Sequence, residues 1–188
     1  MTDDMIKLSD DFIAQMRHIL PDECNALLEA ITTTEPSVAI RVNDGRGISL
    51  SDDAVERVPW CTTGRYLKER MPFTFDVDFQ TGRYYVQDAS SMFIHHVIKH
   101  LVKEPVRYLD LCAAPGGKTT TAISALPVDS MVVANEIMPA RARVLHENIV
   151  KWGSPRCIVT NNAPCDLGKL HHFFDVVATD VPCSGEGM

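Results

Sequence analysis

The chain has 188 residues, of which 45% are hydrophobic and 23% charged, and its formal net charge at pH 7 is -7. This composition is that of a globular protein that can bury a sizeable core. No apolar run is long enough to span a bilayer, and the acidic start MTDDMIKLSDD lacks the basic region of a secretory signal, so we expect a cytoplasmic protein without a membrane segment.

The first third of the sequence mixes helices with short strands. Apolar residues recur at near-helical spacing over residues 4–20, and a second helix follows Pro21. SVAIRVN, residues 37–43, alternates like a strand and runs into the turn residues DGRG. The aromatic stretch 70–87 is rich in strand formers. We predict a small α+β domain over residues 1–75.

Basic and aromatic residues are interleaved near the end of this domain. They are Arg65, Lys68, Arg70 and Arg83, with Tyr66, Phe73 and Phe75. Such a mixture suits RNA, through phosphate pairing and base stacking. A solvated face above core aromatics explains it equally well, and the negative net charge argues weakly against a nucleic acid. Charge alone therefore does not decide whether RNA is a partner.

From Asp88 onward the pattern changes to alternating helices and strands. An amphipathic helix is predicted at 88–102. Apolar strands are predicted at 106–113, 131–137, 157–163 and 174–182, with helices at 115–126, 139–153 and 166–174 between them. Strict alternation of apolar strands with helices predicts a parallel, doubly wound α/β sheet. We assign residues 76–188 to this second domain.

Metal ligands and disulfides are not expected. The six cysteines are widely scattered, and none forms a C-x-x-C pair. His96 and His100 stand four apart on the predicted helix, a spacing that can hold a metal. No acidic partner or second ligand pair accompanies them, so a solvated helix face is the preferred interpretation. We predict no metal site.

Ligands of doubly wound sheets bind where the strands end at their carboxyl side. After the first strand, Cys112 to Lys118 resembles a phosphate-binding loop, but Cys112 replaces its leading glycine. Gly116 and Gly117 let the backbone approach a ligand, although they could serve packing alone. Glu136 ends the second strand and can accept both hydroxyls of a ribose. A nucleoside cofactor without a pyrophosphate, such as S-adenosylmethionine, suits this set.

The ends of the third and fourth strands add further polar groups. Asn161 and Asn162 follow the third strand and can meet an adenine edge. Asp180 to Cys183 follow the fourth strand as D-V-P-C. A cysteine there suits methylation of a pyrimidine carbon, because carbon 5 of cytosine becomes nucleophilic only after a thiolate adds to carbon 6.

Three stretches resemble the Sun-type family of RNA cytosine-carbon-5 methyltransferases: YLDLCAAPGGKTT, VVANEIMPARARVLHENIVKWG and FDVVATDVPCSGEGM. RYYVQDASSM resembles the segment before the family's core and SVAIRVN its N-terminal domain, so the likeness runs from about residue 37 to residue 188. C-A-A-P-G-G-K and D-x-P-C-S-G-E-G together are highly specific. The resemblance implies a Rossmann-like methyltransferase sheet, S-adenosylmethionine as cofactor, and RNA as partner, in bacteria mostly small-subunit ribosomal RNA.

The resemblance also implies a role for each matching position. The methionine part of the cofactor would be held by Cys112, Ala113, Ala114, Pro115, Gly116, Gly117 and Lys118. Glu136 would bind the ribose, with Arg141 behind it. Asp180 would lie between cofactor and cytosine, and Cys183 would help release the methylated product. The family usually places an aspartate at the adenine. Here Asn162 or Ala163 stands at that position, which leaves the adenine to a carbonyl of Asn162.

The nucleophile of the family is a different cysteine, in a T-C element after the fifth strand of a seven-stranded sheet. Met188 follows directly on the fourth predicted strand. We therefore expect an amino-terminal fragment, monomeric, that does not methylate by itself. Two alternatives stay open. One is a non-catalytic module that binds cofactor or RNA, and the other is a methyltransferase that uses Cys183 as its nucleophile.

Overall fold

The structure is a computed structural model, which describes residues 8–34, 36–47 and 55–181. The chain divides into two compact units, Met1–Pro36 and Ser37–Met188. The domain boundary that we predict at residue 75 lies inside the second unit and stays a prediction.

The first unit contains two helices. Helix α1 spans Asp10–Ile19 and helix α2 spans Cys24–Thr33. The side chain of Ser9 caps α1 by accepting a hydrogen bond from the Phe12 amide at 3.2 Å. Two aspartates in the first turn of α1 further favour this end, because they face the positive end of the helix dipole. Both predicted helices are confirmed over these described residues.

The second unit begins with an antiparallel sheet. Its described strands are β1 (Val38–Val42), β2 (Val55–Arg57), β3 (Gly64–Leu67) and β4 (Tyr84–Val86), in the order β2-β3-β1-β4. The register pairs Ile40 with Arg65 on one side and with Val86 on the other. One face covers a small apolar core that contains Val58, Cys61 and Met92.

The aromatic stretch after β3 contains two short helical segments, although its composition favours strands. Phe73–Phe75 forms a 3-10 turn and Val77–Gln80 forms the short helix α3. The carboxylate of Asp76 accepts a hydrogen bond from the Asp78 amide at 2.8 Å and so starts α3. Local capping therefore overrides the strand preference of these residues, and extended chain is restored only at β4.

A parallel sheet forms the rest of the second unit. Its described elements are α4 (Phe93–Leu101), β5 (Arg107–Asp110), α5 (Gly117–Ala125), β6 (Met131–Asn135), α6 (Pro139–Trp152), β7 (Cys157–Thr160), α7 (Pro164–Leu167) and β8 (Val176–Ala178). The strand order is β7-β6-β5-β8, with every pairing parallel. The predicted doubly wound sheet is confirmed, and its switch point lies between β5 and β8.

Helix α7 differs from the predicted helix at 166–174. It begins earlier, at Pro164, whose fixed φ suits a first helical position, and it ends at Leu167. Gly168 follows, and His172 adopts a φ of 55°, which a continuing helix does not allow.

Arg41 joins the antiparallel sheet to helix α5. Its guanidinium is fully buried and donates to the Gln87 Oε1 at 2.9 Å, to the Ser124 hydroxyl at 3.2 Å and to the Thr120 hydroxyl. The same group lies 4.4 Å above the ring centroid of Trp152. Burial lowers the pKa of Arg41 to about 10. Buried hydrogen bonds of this kind fix the position of the antiparallel sheet against helix α5.

Candidate active site

The loop between β5 and α5 is fixed to both neighbouring strands. The Leu111 amide donates to the Ala178 carbonyl at 3.0 Å, and the Ala113 amide donates to the Asn135 carbonyl at 2.8 Å. The Ala114–Pro115 peptide is cis. The predicted cofactor loop therefore lies at the carboxyl edge of the parallel sheet, beside the switch point.

Two glycines end this loop and start helix α5. Gly116 adopts a φ of 113°, in the region where side chains are unfavourable, and a Cβ there would lie 3.3 Å from Leu145 Cδ1. A Cβ on Gly117 would lie 3.4 Å from Tyr85 Cε1. Gly116 is the N-cap residue, and no side chain in the described part of the chain caps α5. The first amides of the helix therefore remain available to an anionic group.

Asn135 connects three of the loops at this edge. Its side chain is fully buried, and its Nδ2 donates to the carbonyls of Leu111 at 3.2 Å and Asn162 at 3.0 Å. Its Oδ1 accepts from the Asn162 amide at 3.0 Å and the Thr160 hydroxyl at 2.9 Å. Sequence reasoning missed this residue, although a polar residue closing the apolar strand MVVAN is a signal that could have been used.

Glu136 holds a buried carboxylate at the end of β6. Its side chain is 3% exposed. Oε1 accepts from the Met138 amide at 3.0 Å, whereas Oε2 has no hydrogen-bond partner among the described residues. Arg141 Nη1 lies 3.7 Å from Oε2, too far for a hydrogen bond, and its Nη2 donates to the Ala114 carbonyl at 2.9 Å. A buried acceptor of this kind is satisfied when a ligand supplies a donor, such as a hydroxyl.

Two further acids surround the start of α5. Asp110 is 4% exposed and accepts from the Thr119 hydroxyl at 2.6 Å. Burial raises the pKa of Asp110, the negative charge of Asp180 acts in the same direction, and the bond from Thr119 opposes both. Asp180 forms an ion pair with Lys118. This pair joins the loop after β5 to the end of β8.

The Cys112 thiol is half-buried in the same loop. Burial raises its pKa, and the charges of Glu136 and Asp110 raise it further. The thiolate is the nucleophilic form of cysteine. The environment of Cys112 therefore favours the unreactive thiol, which suits a structural or ligand-lining role.

The predicted adenine-binding residues occupy the end of β7. Asn161 Nδ2 donates to the Glu136 carbonyl at 2.6 Å and to the Ile137 carbonyl at 3.0 Å. The carbonyl of Asn162 already accepts from Asn135, and a carbonyl oxygen can accept a second hydrogen bond. Ala163 is the N-cap residue of α7. Their role toward adenine stays a prediction.

A cavity of about 260 Å³ lies between the end of β4 and the loop after β5. Its lining includes Tyr85, Gln87, Cys112, Gly117, Lys118 and Asp180. The cavity thus brings together Asp180 and the loop from Cys112 to Lys118, which the sequence predicts to be neighbours. It adds Tyr85 of β4 and Gln87, which follows β4. Cys183, the predicted product-release cysteine, lies outside the described residues.

The basic and aromatic residues between 65 and 83 are partly structural. Arg65 Nη1 donates to the carbonyls of Thr62 at 2.9 Å and Gly64 at 2.8 Å, and Arg83 pairs with Asp78 at 3.4 Å. The ring of Phe73 packs against the rings of Phe79 and Tyr84, whereas Phe75 is 86% exposed. Arg65 and Phe73 thus take part in the fold, and contact of this segment with RNA stays a prediction.

His96 and His100 are exposed on α4, and their rings stack with centroids 6.2 Å apart. Over the described ranges, no group of three or more histidine, cysteine, aspartate or glutamate residues could hold a metal ion. Within the same ranges, no helix has the length and apolar content needed to cross a membrane.

The parallel sheet and its carboxyl-edge site define a Rossmann-like domain of the methyltransferase class. A family model for the N-terminal domain of 16S rRNA methyltransferase RsmF matches residues 8–89, and one for 16S rRNA methyltransferase RsmB/F matches residues 99–188. The two matches together make the chain similar to the RsmB/F family over most of its length. The predicted resemblance is thereby confirmed.

Individual relatives agree with the family. Ribosomal RNA small subunit methyltransferase F of Pectobacterium atrosepticum is 32% identical over 96% of this chain and 40% of its own length. The protein of the same description from Vibrio cholerae is 34% identical over 97% of this chain and 41% of its own length. The chain thus spans about 40% of the length of these curated relatives.

Solved structures show the same fold. A methyltransferase homolog protein from Pyrococcus horikoshii is 27% identical, with a TM-score of 0.78 over 96% of this chain and 61% of that chain. NSun6 from Pyrococcus horikoshii, solved with SFG, is 15% identical, with a TM-score of 0.72 over 93% of this chain and 71% of that chain, and supports the fold alone.

Proposed function

We propose that this chain belongs to an enzyme that transfers a methyl group from S-adenosylmethionine to carbon 5 of a cytosine in small-subunit ribosomal RNA. The reaction and the RNA are supported by the family and by the names of the curated relatives. The observation that supports the cofactor is the buried carboxylate of Glu136, whose Oε2 has no hydrogen-bond donor among the described residues. We further propose that the enzyme acts in the cytoplasm, as a monomer and without a metal.

The residues of the carboxyl edge fit the cofactor that this activity requires. Glu136 Oε2 would accept from a ribose hydroxyl, and Arg141 would hold the Ala114 carbonyl and keep the loop beside Glu136. The loop from Cys112 to Lys118 would hold the methionine part, because its glycines leave the first amides of α5 open. When bound, the cofactor supplies an electrophilic methyl group.

Asp180 and Cys183 would act on the cytosine. Asp180 lines the cavity that adjoins the cofactor loop and is held there by Lys118, so its carboxylate can accept a hydrogen bond from an exocyclic amine of the base. Cys183 follows three residues later, and the family motif supports its role in releasing the methylated product. The Cys112 thiol, whose pKa is raised, takes no nucleophilic part in this proposal.

Loss of the gene that encodes this chain tests the reaction. Bisulfite sequencing of ribosomal RNA from a deletion strain should show the loss of a 5-methylcytosine from the small-subunit RNA. The wild-type gene should restore it, and a Glu136→Gln gene should restore it poorly. A gene with Glu147→Gln, an exposed acid on α6, is the matched control and should restore it fully. An unchanged set of 5-methylcytosines in the deletion strain would reject the proposal.

Calorimetry on the chain tests the cofactor site. S-adenosylhomocysteine, which has the same ribose and amino-acid part as the cofactor, should bind the wild-type chain. Glu136→Gln removes a charged acceptor and should cost about 1.5–3 kcal/mol of binding free energy, whereas Glu147→Gln should cost nothing measurable. Preferential binding of ATP would contradict the assignment of the loop. Restoration of the 5-methylcytosine by the wild-type gene would distinguish an enzyme from a module that only binds cofactor or RNA.

A further inference from the structure

The amide of Gln87 has a fixed orientation. Its Oε1 accepts from Arg41 Nε at 2.9 Å and lies 3.1 Å from the Thr121 hydroxyl. A guanidinium can only donate, so the atom of Gln87 that faces it must be the oxygen. The amide nitrogen therefore points to the other side, and rotating the amide would set two donors against each other.

The nitrogen at this other side has no acceptor. Gln87 is 7% exposed, and no hydrogen-bond partner of Nε2 exists in the described ranges. A Cβ added to Gly117 would lie 3.6 Å from this nitrogen, so the missing side chain leaves the gap between Nε2 and α5 open. Both residues line the cavity of about 260 Å³. A buried donor without an acceptor is costly, and a ligand that brings an acceptor recovers that cost.

The surroundings of the nitrogen select an anionic acceptor. Helix α5 has nine residues and begins at Gly117, with Gly116 as a cap that offers no side chain. Its first amides and the positive end of its dipole favour an anion. Lys118 also lines the cavity, where it is paired with Asp180, so the helix amides are the main donors beside Gln87. A neutral carbonyl brings no charge for the helix dipole to stabilise, whereas a carboxylate has two charged oxygens that can accept from Gln87 and from the helix together.

The geometry points to Gln87 as a binding residue for the carboxylate in the amino-acid part of the cofactor. This inference rests on the proposed function, because it takes S-adenosylmethionine as the ligand of the loop. Arg41 becomes a positioning residue, since it holds the Oε1 and thereby aims the Nε2. Gln87, which follows β4 of the antiparallel sheet, would thus complete a site that lies mainly at the carboxyl edge of the parallel sheet.

The test compares two ligands that differ in the amino-acid part. S-adenosylhomocysteine carries the carboxylate, and 5′-methylthioadenosine keeps the adenosine and its sulfur but has no carboxylate. The variant Gln87→Glu retains an acceptor for Arg41, replaces the Nε2 donor by an oxygen and adds a negative charge that repels a carboxylate. Its affinity for S-adenosylhomocysteine should fall by about tenfold to a hundredfold, the range for a lost hydrogen bond to a charged group. Its affinity for 5′-methylthioadenosine should stay within about twofold.

Two further variants calibrate this comparison by calorimetry on the full chain. Glu136→Gln acts on the ribose that both ligands share, so it should weaken both. Gln80→Glu, at an exposed amide that donates to the Thr74 carbonyl at 2.8 Å, should weaken neither. If Gln87→Glu loses affinity for both ligands by the same factor, the residue acts only on the fold and the inference is overturned. Unchanged affinity for both ligands would overturn it as well. If the wild-type chain binds neither ligand, the proposed function itself is rejected.

Discussion

The carboxyl edge of the parallel sheet and the segment from residue 65 to residue 83 use polar side chains in opposite ways. At the edge, Asn135, Glu136 and Asp110 are at most 4% exposed. In the segment, the charged side chains remain in contact with water, and the partner of Arg83 is Asp78, from the same segment.

Because of this difference in burial, a single side chain indicates more about function at the edge than in the segment. A buried polar atom needs a hydrogen-bond partner, so the Glu136 oxygen that has no donor among the described residues points to a ligand that can donate. An exposed arginine is already satisfied by water, and each contact with RNA adds only a small, salt-dependent increment. The edge can therefore be tested one atom at a time, whereas the segment must be tested as a set.

The largest effect should come from the link between the two sheets. Arg41→Met keeps much of the volume but removes three donors from a fully buried position. We expect a loss of about 3 kcal/mol in the free energy of unfolding, from about 1 kcal/mol for each bond. Urea denaturation measures it, with Arg70→Met, at an exposed position, as the control. Equal stability of the two variants would show that the edge does not depend on the antiparallel sheet.

The next effect concerns the backbone of the edge. Gly116→Ala places a side chain at a φ of 113°, which should cost about 1–3 kcal/mol of stability. Gly117→Ala is the matched control, because its φ is not in the left-handed region and its new Cβ would meet Tyr85 at 3.4 Å. It should leave stability nearly unchanged while narrowing the cavity and weakening S-adenosylhomocysteine. If both glycines behave alike in denaturation, the conformation of Gly116 is not the constraint.

A smaller effect is expected for the segment. Replacing Lys68 and Arg70 together by glutamine should weaken binding to ribosomal RNA fragments and lower the slope of log affinity against log salt by roughly one unit for each lost phosphate contact. The same double change at Lys103 and Lys169, two exposed lysines, is the control. A salt slope equal to that of the wild type would leave the segment as an ordinary solvated face.

The smallest effect is a pH dependence at the edge. Burial raises the pKa of Asp110 in the folded chain above its ordinary value of 3.8. The unfolded chain therefore loses this proton first, and the free energy of unfolding falls as pH rises from 3.8 through the raised pKa. The asparagine of the variant Asp110→Asn does not titrate in this pH range. The difference in stability between wild type and variant should shift against the wild type across that window, and a constant difference would contradict the raised pKa.

Much of the parallel sheet could be predicted from the sequence. Its strands are nearly continuous apolar runs, and glycine and proline mark their ends, so the parallel arrangement and the site edge follow from general rules. Glu136, Lys118 and Asp180 lie at that edge, as expected. Their roles remain predictions, and Cys183 lies outside the described residues. The helical turn at 73–75 and α3 were not predicted, because a single capping aspartate outweighs the composition around it.

The distant partners of Arg41, Gln87 and Asn135 could not be found in the same way. A polar residue in or beside a strand does not indicate which distant group will meet it. Arg41 and Gln87 are 46 residues apart, and Asn135 meets Asn162 across 27 residues. Only the three-dimensional arrangement shows that the oxygen of Gln87 accepts hydrogen bonds and that its nitrogen has no acceptor in the part of the chain that the structure describes.

The position of Arg41 early in the chain has a consequence for synthesis. Its partner Thr120 is translated 79 residues later. At roughly 5–20 residues per second, the guanidinium waits roughly 4–16 s before helix α5 exists. During that interval the guanidinium lacks its partners on α5, so the antiparallel sheet cannot reach its final packing until helix α5 has emerged. The order in which the polypeptide emerges thus makes the first sheet depend on the second for its completion.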